Sequence, residues 1–133
     1  MNPTTAPYGA LLLRVALGVV LIAHGLLKVL VFTLPGTAEF FASVGFPGWM
    51  AYPVTLAELA GGAALIVGFQ VRLVAAVMAV ELLGATSVHL HNGWTFDSKD
   101  GGWEYPAFLV VAAVVVSLLG AGAHALDGRN QTG

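Results

Sequence analysis

Four runs of apolar residues, at roughly 10–32, 51–69, 71–91 and 105–122, leave this chain few ways to fold. A helix needs about 20 such residues to cross the hydrocarbon core of a bilayer, and each run reaches or approaches that length. In lipid the backbone must close its own hydrogen bonds, which a helix does within one segment. Composition agrees, since 58% of the 133 residues are apolar and 9% charged, against about 25% charged in an average soluble domain. The expected fold is all-α: a single domain spanning the lipid bilayer as an integral membrane four-helix bundle. The first run carries His24 and Lys28 in its second half and shows no small-x-small cleavage site, so it reads as a retained helix.

The connections order the spans. "VGFQVRL" joins the second and third so tightly that they must form an antiparallel hairpin, with Gln70 and Arg72 in its turn. Between the first and second, Pro and Gly pairs bracket "TAEFFASV", the expected short interfacial helix. Arg14, Arg72 and Arg129 then share one side, while the other holds Lys28 and Lys99 amid Glu39, Asp97, Asp100 and Glu104. By the positive-inside rule both termini are expected in the cytoplasm, with the chain a multi-pass protein of the cytoplasmic membrane. Trp49, Tyr52, Trp94, Trp103 and Tyr105 would form the opposite aromatic belt.

This topology gathers His24, Lys28, Glu58, Glu81, His89 and Glu104 in the outer half of the bundle. Glu58 should lie on the order of 10 Å below the end of its helix and Glu81 about 15 Å, too deep for a glutamate to reach water. Arg14, Gly18, Leu21, Gly25 and Lys28 follow a four-three spacing on one face of the first helix. Glu58 shares a face with Gly61, Gly62 and Leu65, where glycine permits close helix approach. Intramembrane charges usually pair and mark function. One Lys28 ammonium cannot neutralise two carboxylates, so one glutamate should carry a proton and could exchange it. The plainer reading is that Lys28 pairs with Glu58 or Glu81 only to fix helix register. "GGWEYP" is expected to turn back through Gly101 and Gly102 as a lid, Trp103 sealing the pocket and Glu104 completing its polar network.

Several chemistries find no support. The chain has no cysteine, which excludes a disulfide relay, a thiol nucleophile and an ordinary iron–sulfur cluster. His89 and His91 are two apart and point to different sides of a helix, so no metal site is assigned; haem has nothing beyond two imidazoles. No flavin motif is present, and no Lys/Arg cluster exists that would engage nucleic acid.

From "LLLRVALGVVLIAHGLLKV" through "FFASVGFPGWMAYPVTLAELAGGAALIVGFQVRLVA" to "HLHNGWTFDSKDGGWEYP", the chain resembles the DoxX family of membrane proteins. The family is similar to the DoxD subunit of thiosulfate:quinone oxidoreductase. The resemblance carries over Arg14, His24, Lys28, Glu58, Arg72 and the Gly102–Trp103–Glu104 segment; Glu81 rests on topology alone. It implies a membrane subunit of a quinone-linked oxidoreductase, with quinone as cofactor and a head-group pocket in the outer half. Glu58, Glu81 and His24 are then the candidate catalytic residues, and Lys28, His89, Trp103, Glu104, Arg14 and Arg72 the ligand-binding ones, with Trp103 or Trp94 stacking on the ring. Two alternatives stay open: a non-catalytic scaffold docking a soluble redox or stress-response enzyme, and a small-molecule or proton-coupled carrier. Association with a second copy is a further expectation. Because the chain lacks cysteine, Ser98→Cys introduces a unique label. It should react with a membrane-impermeant thiol reagent on intact cells, and labelling only after permeabilisation would invert the topology.

Overall fold

The computed structural model describes residues 4–126, so the expectation for Arg129 lies outside the described residues. Among these the chain is helical, with no strand. Helix α1 (Ala6–Leu26) carries Pro7 in its first turn, where the missing N–H costs nothing, and continues into a π-helical stretch, Leu27–Val31. The hydroxyl of Thr33 accepts from the Gly36 amide and starts α2 (Leu34–Ser43), the short helix expected between the first two spans. A 3-10 turn, Gly48–Met50, leads into α3 (Ala51–Val67), which ends at Gly68 in the left-handed conformation. After a three-residue break, α4 (Val71–His89) runs back and finishes in a 3-10 turn, Leu90–Asn92. Helix α5 (Glu104–Leu119) closes the bundle.

Three spans are long and apolar enough to cross a membrane: Ala6–Val31 with 26 residues, Gly48–Val67 with 20 and Val71–Asn92 with 22. Helix α5 has only 16 residues. That makes it about 24 Å long, short of a hydrocarbon core of about 30 Å. It stops at Gly120, with φ +81°, three residues earlier than the apolar run alone implies, because the chain there turns across the end of the bundle.

Helix α1 packs mainly on α3 and α4 on α5, the two pairs meeting through the α3–α4 hairpin and a lighter contact between α1 and α5. The α1–α3 crossing needs glycine on both sides. A β-carbon on Gly18 would stand 2.6 Å from the Gly62 carbonyl oxygen, and one on Gly62 would stand 2.7 Å from that of Gly18. Backbones this close give the dense packing that drives helix association in lipid.

At the end of the bundle holding the N-terminus, the side chain of Arg14 is fully buried. All five of its N–H groups end on main-chain carbonyls: Nε donates to Ala121 at 2.7 Å, one terminal nitrogen to Leu65 and Ile66 at 2.8 and 2.7 Å, and the other to Ala123 and His124 at 2.8 and 2.9 Å. These carbonyls belong to the last turn of α3 and to the segment after α5, groups a helix leaves without internal partners. The same segment donates from Ala123 to Pro7 and from Leu126 to Val67. The positive charge thus meets the negative pole of α3 instead of a carboxylate. Arg14→Lys keeps the charge but offers three donors for five carbonyls. It is expected to cost roughly 2 kcal/mol or more of stability, read as a lowered melting temperature in detergent; an unchanged melting temperature would show these bonds to be dispensable.

Candidate functional site

The opposite end holds two polar groups that share α1. The first is interior. Lys28, in the π-helical stretch, donates from Nζ to Oε1 of Glu58 at 2.7 Å, and Glu58 is only 4% exposed. A β-carbon on Gly61 would meet Met78, which sets the antiparallel register of α3 and α4 and brings Glu58 level with Glu81. The two glutamate side chains neighbour each other, with Lys28 within electrostatic reach of both. One ammonium faces two carboxyl groups, so it can balance the charge of only one of them. Two buried oxygens here have no partner: Oε2 of Glu81, and Oγ1 of Thr55 one turn from Glu58. Thr55 is 3% exposed and was not singled out from the sequence; its place one turn before Glu58, on the stripe that continues to Gly62, was the available signal.

The second group lines a groove of about 1010 Å³ between α1, the end of α4, the loop after it and α5. Its polar wall is His24, His89 and Glu104; its apolar wall is Trp94, Phe96, Tyr105, Phe108 and Val111. Phe108 and Val111 are exposed on the flank of α5, so the groove opens sideways toward lipid. Nδ1 of His24 donates to the Val20 carbonyl at 2.8 Å, and that of His89 to Gly101 at 3.1 Å. Oε1 of Glu104 accepts from the Phe96 amide at 3.2 Å. The Tyr105 ring stacks on His24 with centroids 6.2 Å apart and planes 26° apart; its position in the belt was read from the sequence, but not its role in the groove.

The loop turns back through glycine as expected. Gly101 has φ +83°, and a side chain on Gly102 would collide with the Thr95 carbonyl. The tryptophans, however, divide the work. Trp94 lines the groove and Trp103 stands edge-on behind it, ring centroids 4.4 Å apart, so Trp103 braces the wall without forming it. Glu104 shares the groove with His24 and His89, whereas Glu58 belongs to the interior cluster. Arg14 and Arg72 are brought to neither. Arg72 donates to the Ser117 and Leu118 carbonyls at the end of α5 and receives the Ser117 hydroxyl on its own carbonyl, fastening α4 to α5 at the far end.

The family model for DoxX matches residues 9–92, from α1 through the 3-10 turn after α4. The chain belongs to the DoxX family. It is 35% identical over 120 residues to a protein of Bacillus subtilis (strain 168) named "Putative oxidoreductase CatD", covering 90% of this chain and 84% of that one. No solved structure matches it. The family match stops short of the Gly102–Trp103–Glu104 segment and of α5, which supply one wall of the groove.

Breaking the interior pair separates its parts. Lys28→Met strands Glu58 in the bundle, and removing one partner of a buried pair costs about 3–5 kcal/mol. Adding Glu58→Gln should recover most of that loss, because no charge is then left unpaired on α3. Melting temperatures of the single and double variants in one detergent check this; a double variant no more stable than Lys28→Met would mean that the pair is not coupled.

Proposed function

We propose that this protein is a membrane subunit of a quinone-linked oxidoreductase, its groove taking a quinone head from the lipid phase. The observation that carries the reading is the groove itself, which opens to hydrocarbon along Phe108 and Val111 and ends on His24, His89 and Glu104. A ring with polar substituents on an apolar tail matches that gradient. Membership of the DoxX family and likeness to a protein whose name includes oxidoreductase support the redox side.

In this reading Tyr105 and Trp94 flank the ring, and His24, His89 and Glu104 bond its oxygens. A bound quinone supplies two-electron chemistry accompanied by protons. The chain's own part is to exclude water and to hold a proton one helical turn away, where Lys28, next along α1 from His24, ties Glu58 beside Glu81. With no cysteine in the chain, electrons come from a diffusible reductant or a partner protein. The Arg14 and Arg72 end faces the cytoplasm and the groove the outer half of the cytoplasmic membrane.

Native mass spectrometry of the purified protein, with solvent extraction of its lipids, tests this. An isoprenoid quinone should copurify in near-stoichiometric amount, and Ala107→Trp, which fills the groove, should lower its content about tenfold while the melting temperature holds. Protein carrying phospholipid alone, with or without the substitution, would refute the reading.

A further inference from the structure

The groove's polar wall consists of hydrogen-bond acceptors. The Nδ1 atoms of His24 and His89 each face a carbonyl oxygen, at 2.8 and 3.1 Å. A carbonyl only accepts, so in each neutral ring the proton is on Nδ1 and Nε2 keeps its lone pair. The second approach to His89, from the Asn92 amide at 3.4 Å, is longer, and Asn92 already donates to the Asp100 carbonyl at 3.1 Å. Among the described residues no carboxylate lies within ion-pair distance of either imidazole. Glu104 spends Oε1 on the Phe96 amide and keeps Oε2. Against these three acceptors, the lining side chains offer as donors only the Trp94 indole and the Tyr105 hydroxyl.

We infer that the groove selects the reduced, dihydroxy form of a lipid-borne aromatic ring over its dicarbonyl form, with Nε2 of His24 and of His89 receiving the ring hydroxyls. The inference rests on the quinone reading and adds the redox state that the site prefers. A dicarbonyl ring offers only acceptors and would set them against acceptors. A dihydroxy ring of the same shape offers two donors, and each hydrogen bond made in place of an acceptor–acceptor contact favours it.

Calorimetric titration of the protein in lipid nanodiscs under argon separates the possibilities, with decylhydroquinone, decylbenzoquinone and decylhydroquinone dimethyl ether as probes. Decylhydroquinone should bind about tenfold more tightly than decylbenzoquinone, and the dimethyl ether, which keeps the ring but has no donor, should bind as weakly as the quinone. His24→Phe removes one acceptor on a helix whose own hydrogen bonds are unaffected, and should bring the hydroquinone within about threefold of the quinone. Equal or tighter binding of decylbenzoquinone would overturn the acceptor assignment and leave the quinone reading standing. Binding of none of the three would overturn both.

Discussion

The guanidinium of Arg14 decides how one end of this bundle can be built. A charge buried in a span has to be compensated, and here five main-chain carbonyls do so from the last turn of α3 and the segment after α5. The bonds fix the end of α3 against α1 and draw residues 120–126 across the bundle, where Gly122 passes too close to the Pro7 carbonyl for any side chain. Arg72 repeats the device on a smaller scale with the end of α5. Cations at helix C-termini and carbonyls without other partners complement each other, so neither arginine needs a carboxylate.

That economy leaves the carboxylates of the spans to the other end. Glu58 and Glu81 face each other across the α3–α4 hairpin, and Lys28 reaches them from a widened turn of α1. The π-helical stretch, a feature frequent at functional sites, carries Lys28, and α1 meets α5 along a lightly packed flank. The groove lies on that flank and the Glu58–Glu81 pair lies inside, with α1 common to both.

The spans, the tight hairpin, the interfacial helix and the buried stripe Arg14–Gly18–Leu21–Gly25 were legible because apolar length and 3.6-residue periodicity report depth and face directly. Neither quantity names the neighbour. Arg14 and Lys28 fall on one stripe of α1, yet fourteen positions of helix, about 21 Å, carry them to opposite ends with unrelated partners. Depth likewise placed His24, His89, Glu104 and Glu58 at one level, whereas helix rotation assigns the first three to a lipid-facing groove and the last to the interior. The exchange of Trp94 for Trp103 in the wall depends on the path of a loop, which no periodicity encodes.

The division between a structural end and a ligand-binding end is tested most directly by photo-crosslinking a tailed azidoquinone to the protein in membranes and sequencing the modified peptides. Adducts should concentrate on His24, the first two turns of α5 and the loop at Trp94, and excess unlabelled quinone should suppress them. Adducts around Arg14 and Arg72, or an even spread over lipid-facing side chains that competition leaves unchanged, would contradict it.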